Sequence, residues 1–136
     1  SQHSIASLNC KTAGYSMTDS LLTTLQQQMR QFTHERDWDQ FHTPKNLAMA
    51  LTGEAAELQE IFQWLTAEQS AQLDAKQRTH AEEELADVLL YLCRLADVLN
   101  IDLAAAAQAK IKRNAEKYPA EQVRGSAAKY HEYRQG

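Results

Sequence analysis

Two acidic forks stand out in the 136-residue chain. Glu54 and Glu57 lie three residues apart in Gly53-Glu54-Ala55-Ala56-Glu57-Leu58, and Glu84 and Asp87 repeat the spacing in Glu83-Glu84-Leu85-Ala86-Asp87. Residues three apart on an α-helix project from the same side. If the two segments are helices packed on each other, four carboxylates converge, and clustered carboxylate oxygens suit a hard divalent cation. Acidic pairs at this spacing are also common on solvated helix faces. A non-enzymatic helical interaction module, its acidic faces solvated or holding a structural ion, is therefore the competing reading.

Two placements favour the metal. Leu47, Leu51, Leu58, Ile61 and Leu65 step by three and four, and Glu54 falls in the middle of their apolar stripe. Asp87 interrupts a run, Leu85 to Ala96, that is apolar almost all round. A charge facing a core is costly unless it is paired or bound to metal. Arg94, the other charge in that run, is two turns away, on the order of 10 Å along the axis, so Asp87 needs a different partner. Glu60, Glu82 and Glu83 are expected near solvent, with Glu60 also able to hold or activate a water.

Other chemistries lack their residues. A di-iron carboxylate bundle needs Glu-x-x-His on its helices, and the nearest spacing, Asp39-Gln40-Phe41-His42, lies in a connector beside Pro44. There are no cysteine pairs for zinc and no glycine-rich phosphate loop, the four glycines being scattered. Cys93 sits in an apolar helical run, where a thiol is inert packing rather than a nucleophile.

The elements that must position the forks follow from periodicity. Leu21, Leu22, Leu25, Met29 and Phe32 predict a first helix from Thr18 to about Arg36, with Thr18 or Asp19 as its cap. Asp37 to His42 is an aromatic-rich connector, and Thr43-Pro44 starts a second helix, Thr as cap and Pro at the first helical position. Residues 66 to about 76 are polar and predict a loop, after which a third helix resumes near Arg78. Its apolar surface is wider than one neighbour covers, as expected for a central bundle helix or a subunit interface. Asp102 caps a fourth helix from Leu103 to Lys117, ended by Pro119. The domain is thus expected over residues 18–119, preceded by a polar leader over 1–17, expected to be disordered, and followed by a basic tail over 120–136.

Within this frame Trp38, Trp64 and Tyr91 are the aromatics nearest the acidic helices. Core packing is the ordinary reading of each, yet Trp38 shares a polar connector with Asp37, Asp39 and His42, where a large ring can stack on a ligand. Lys110, Asn114 and Lys117 share one face of the fourth helix; lysines there are ordinarily solvated, whereas Asn114 joins the stripe of residues 104, 107 and 111 and can read a polar ligand edge.

Composition bounds the rest. With 43% hydrophobic residues the chain can bury a core, and a net charge of -4 disfavours wrapping a nucleic acid. No stretch reaches the roughly 18 apolar residues that span a bilayer. Cys10 and Cys93 lie in unlike contexts, so a disulfide is not expected and a cytoplasmic setting is.

These residues carry a resemblance. Glu35-Arg36-Asp37-Trp38, Phe41-His42, Pro44-Lys45-Asn46-Leu47, Gly53-Glu54-Ala55-Ala56-Glu57-Leu58, Phe62-Gln63-Trp64, Glu83 to Leu92, Lys110 to Asn114 and Lys117-Tyr118-Pro119 resemble, in order over about residues 20–119, the MazG-like all-α nucleoside triphosphate pyrophosphohydrolases, the dCTP pyrophosphatase branch most closely. The resemblance implies an all-α, four-helix-bundle-like enzyme that cleaves a (deoxy)nucleoside triphosphate such as dCTP to monophosphate and pyrophosphate, cleaning the nucleotide pool. It implies Mg²⁺ on Glu54, Glu57, Glu84 and Asp87, a nucleotide pocket from Trp38, His42, Trp64, Tyr91 and Asn114, and Lys110 near the phosphates. It implies a homodimer or a homotetramer built as a dimer of dimers, with the pocket completed across subunits. One departure is Gly53, where many MazG proteins carry Glu; the dCTP-type members resemble this chain there.

Overall fold

The computed structural model describes residues 17–127, with side chains from Leu21 onward. Every regular element among them is helical: α1 (Met17–Glu35), a 3-10 turn (Asp39–Phe41), α2 (Pro44–Phe62), α3 (Ala67–Ser70), α4 (Ala75–Val98), α5 (Leu103–Lys117) and α6 (Ala120–Val123). The all-α expectation holds. The chain forms two compact units, the first ending at Ile101 and the second beginning at Asp102. The expected leader before Met17 and the end of the basic tail, with Lys129 and Tyr130, lie outside the described residues.

In the first unit α4 packs against both α2 and α1. It is the central helix its wide apolar surface called for, and Leu85, Leu89 and Leu92 remain exposed on it even so, as does Leu99 just past its end. The best-buried large side chain is Leu47, only 1% exposed, near the start of α2. Replacing Leu47 with alanine is expected to cost about 2–5 kcal/mol of unfolding free energy, the range for a buried leucine whose site collapses only in part; urea titrations of the two proteins measure it. Cys93 is fully buried in α4 and free, and burial pushes its thiol pKa up, consistent with packing rather than reactivity.

Local chemistry sets the helix ends. The Thr43 hydroxyl accepts from the Asn46 amide at 3.1 Å with Pro44 at the first helical position, as expected. At the start of α4 the Asp74 carboxylate accepts from the Gln77 amide at 2.7 Å while the Gln77 side chain accepts from the Asp74 amide at 3.1 Å. This reciprocal box starts the helix at Ala75, three residues before the expected Arg78. A second box, Thr66 with Gln69, folds part of the expected loop into α3. At the other chain end Pro119 opens α6 after ending α5, so the basic tail begins as a short helix. Helix α1 already includes Met17, which places Thr18 and Asp19 inside it rather than at its cap.

Both long helices next to the connectors end in a left-handed residue. Asp37 (φ 55°) follows α1, with the Trp38 amide donating to the Thr33 carbonyl at 2.9 Å; Asn100 (φ 56°) follows α4, with Ile101 donating to Ala96 at 2.9 Å. Asn and Asp tolerate this conformation better than other non-glycine residues. At Asp37 the reversal turns the connector back along α1, and Trp38 packs edge-on to Phe32 with ring centroids 5.7 Å apart.

Candidate functional site

Glu54 from α2 and Glu84 and Asp87 from α4 each bring a carboxylate oxygen within 4.8 Å of the others. Their convergence follows from the packing of α4 on α2. Glu84 is only 7% exposed, and Glu54 and Asp87 are half-buried. One oxygen of Glu54 and one of Glu84, both Oε2, are buried with no hydrogen-bond partner among the described residues. Burial, then the neighbouring carboxyls of Glu84, Glu57 and Asp87, push the Glu54 carboxyl up to about 7. Carboxylates crowded together with unsatisfied buried oxygens are what a divalent cation relieves, because it supplies both the missing charge and the missing ligand. The triad fits such an ion.

Glu57 differs from the other three. It is exposed and is not among the converging ligands, although its charge contributes to the shift at Glu54. Gly53, beside the fork, has open space where a Cβ would stand, so packing within the chain does not require glycine there. His80, one turn before Glu84, places Nε2 3.5 Å from Glu84 Oε1. The sequence reading passed over it, although its signal was a histidine four residues before a candidate ligand.

Beside the triad is a cavity of about 350 Å³ with Asp87 in its wall. Trp38, His42 and Tyr91 line it, as do Leu25, Met29 and Phe32 of α1 and Leu90 of α4. The size and lining suit a small molecule with a flat apolar part. The structure thus brings three of the sequence-derived pocket residues to one cavity and joins it to the acidic cluster through Asp87. Trp64, in the turn after α2, is 86% exposed and does not line this cavity. Lys110 and Asn114 belong to the second unit, both exposed along α5.

Arg94, which the sequence reading weighed only for its distance from Asp87, is a second residue whose part it missed. It is 7% exposed, and its guanidinium donates from Nη2 to Asp39 Oδ1 at 2.9 Å and from Nε to His42 Nδ1 at 3.2 Å, with Nη1 3.6 Å from Asp97 Oδ2. Asp97 in turn accepts from Arg30 Nε and Nη2, each at 2.6 Å, and Asp39 accepts from the Thr33 hydroxyl at 3.0 Å. That hydroxyl above all, with His34 and Arg94, holds the Asp39 carboxyl below its usual range against the effect of burial. Buried charges demand partners, so the rule that singled out Asp87 applied equally to Arg94.

Among known proteins, the chain matches the MazG-like family over residues 50–133. It is 48% identical over 102 residues to dCTP pyrophosphatase 1 of Rattus norvegicus, an alignment covering 74% of this chain and 60% of that protein. It is 45% identical over 108 residues to dCTP pyrophosphatase 1 of Homo sapiens, covering 78% and 64%. The chain therefore spans about 60% of the length of the first of these relatives. A crystal structure of a pyrophosphatase from Archaeoglobus fulgidus superposes with a TM-score of 0.67 at 38% identity, covering 79% of this chain and 97% of that one.

Proposed function

Since the chain belongs to the MazG-like family, we propose that it hydrolyses nucleoside triphosphates, dCTP or related dNTPs first among them, to monophosphate and pyrophosphate, in the manner its relatives' names describe. The observation that carries this reading is Asp87, which belongs at once to the carboxylate triad and to the wall of the aromatic cavity. A nucleotide seated there has its flat base among Trp38, His42 and Tyr91 and its phosphates toward the acidic side.

Glu54, Glu84 and Asp87 would hold Mg²⁺, with Glu57 as an additional ligand. Bound Mg²⁺ supplies charge neutralisation at phosphate oxygens and acidifies a coordinated water. The side chains do the rest: the carboxylates set where the triphosphate stops, and the aromatic walls keep bulk water from the base. Lys110 and Asn114 are proposed substrate contacts on the strength of the matched motif. A homodimer, or a dimer of dimers, completes the pocket in this reading; the exposed Trp64 and the exposed leucines of α4 support it. A reducing cytoplasm is the proposed setting for its nucleotide-pool cleaning, and no helix among the described residues is long and apolar enough to cross a membrane.

A Mg²⁺-dependent release assay across the four dNTPs tests the reading. Pyrophosphate and monophosphate as products, with dCTP turned over fastest, support it. Release of single phosphates, or no turnover of any dNTP, sinks it, and a purine preference overturns the substrate assignment. Trp38→Ala is expected to raise KM about 5- to 100-fold, the equivalent of losing one base-aromatic stack, with kcat changed less; steady-state kinetics measures the split.

A further inference from the structure

We propose that Arg94 is a positioning residue that fixes His42 as its Nε2–H tautomer, so that the cavity presents a hydrogen-bond donor and selects a base edge carrying acceptors. A guanidinium has five N–H donors and no acceptor. The imidazole nitrogen that faces Arg94 Nε at 3.2 Å, Nδ1, must therefore be the lone-pair nitrogen. In the neutral ring the proton then resides on Nε2. Nε2 has no hydrogen-bond partner among the described residues, and the ring lines the cavity. A donor in a cavity wall with no protein partner is a specific demand on whatever binds.

Arg94 is well placed for this because nothing about it is loose. Asp39 and Asp97 anchor two of its nitrogens, Arg30 anchors Asp97 and Thr33 anchors Asp39. Were the cluster only an ion-pair staple, the carboxylates alone would satisfy the guanidinium; the remaining Nε–H is aimed at a neutral ring. Burial and then the Arg94 charge also lower the His42 pKa, with Asp39 opposing them, which keeps the ring neutral. The ligand edge that fits offers carbonyl oxygen or unprotonated ring nitrogen, as the O2/N3 edge of cytosine does.

The inference rests on reading the cavity as a nucleotide pocket, and its test has an arm that needs no substrate. In protein labelled with ¹⁵N-histidine, long-range ¹H–¹⁵N correlation at neutral pH is expected to show His42 with a pyridine-like Nδ1 and a pyrrole-like Nε2, the resonances being assigned by their loss in His42→Asn. In Arg94→Met this signature is expected to give way to a tautomer mixture or imidazolium, and Arg94→Lys, which keeps a donor, restores it in part. An Nδ1–H tautomer or imidazolium in the native protein overturns the proposal without recourse to any variant. So does an unchanged signature in a folded Arg94→Met.

The second arm is kinetic. Arg94→Met is expected to raise KM for dCTP roughly tenfold, the equivalent of one hydrogen bond, with a smaller change in kcat, and Arg94→Lys to recover part of it. Unchanged KM with an altered tautomer overturns the selectivity claim. Absence of turnover in the native protein condemns the enzymatic reading, while the nitrogen spectrum decides the tautomer regardless.

Discussion

Glu54→Ala is expected to lower Mg²⁺-dependent pyrophosphate release by roughly 10³-fold or more, since a metal ligand lost from the triad removes several kcal/mol of charge stabilisation from the reaction. Asp87→Ala should be at least as severe, because that side chain also lines the cavity and its loss disturbs both sites. The argument for Glu54 is geometric. Its buried Oε2 lacks a partner, its neighbours across the interface are carboxylates, and the fold tolerates this crowding with that oxygen unsatisfied. Groups kept under such conditions serve a site rather than stability. The metal-free Glu54→Ala protein is accordingly expected to melt no lower than the parent despite losing its activity. Undiminished release in both variants would reduce the forks to ordinary acidic surface. A readout independent of activity is the stabilisation conferred by Mg²⁺ on thermal unfolding, which each variant should largely lose.

The second large effect is on stability against pH. The Glu54 carboxyl stands at about 7 in the folded chain against 4.5 as its ordinary value, chiefly through burial and next through Glu84, Glu57 and Asp87. The sign follows from linkage: a raised folded-state pKa means that the native state holds the proton more tightly than the unfolded chain. Its stabilising contribution is complete below about 4.5 and is lost as pH rises through about 7. Metal-free protein should therefore have a lower melting temperature at pH 8 than at pH 5.5 from this source. A divalent cation reverses the trend because it binds the ionised carboxylates. At a hundredfold excess over Kd it adds about 2.7 kcal/mol, worth about 8–14 °C at the roughly 3–5 °C per kcal/mol of a domain of this size. Thermal scans with EDTA and with Mg²⁺ at the two pH values measure both effects. A Mg²⁺ shift that is equal at the two values, or larger at pH 5.5, would remove Glu54 from the site.

Much of this site could be read from residue order. Glu54 was visible because it breaks an apolar stripe, and Asp87 because it breaks an apolar run; both features are local and periodic. Glu57 shared the spacing but not the environment. Three residues on a helix advance about 300°, leaving its direction about 60° from that of Glu54, and the structure exposes it. On α4 the same spacing keeps Glu84 and Asp87 together because two helices flank α4 and cover more of its circumference. The start of α4 was legible too, in Asp74-x-x-Gln77, but the cue is a side chain reaching back three residues rather than a hydropathy pattern. Partners for Arg94 were of another kind. Asp39 and His42 are 55 and 52 positions distant, and only the packing of α4 beside α1 and its connector makes them neighbours. The left-handed turn at Asp37 that returns the connector was equally hidden, since an Asp after a basic residue has many other uses.

Asp87 belongs to two sites at once, and that has a thermodynamic consequence. A cation on the triad and a nucleotide in the cavity would share one side chain, and their affinities would then be coupled. By reciprocity, whatever factor the cation contributes to nucleotide binding, the nucleotide returns to the cation. At low free Mg²⁺ the chain would then gather its metal mainly when substrate arrives. Occupancy of the triad would report the state of the nucleotide pool rather than the concentration of the ion.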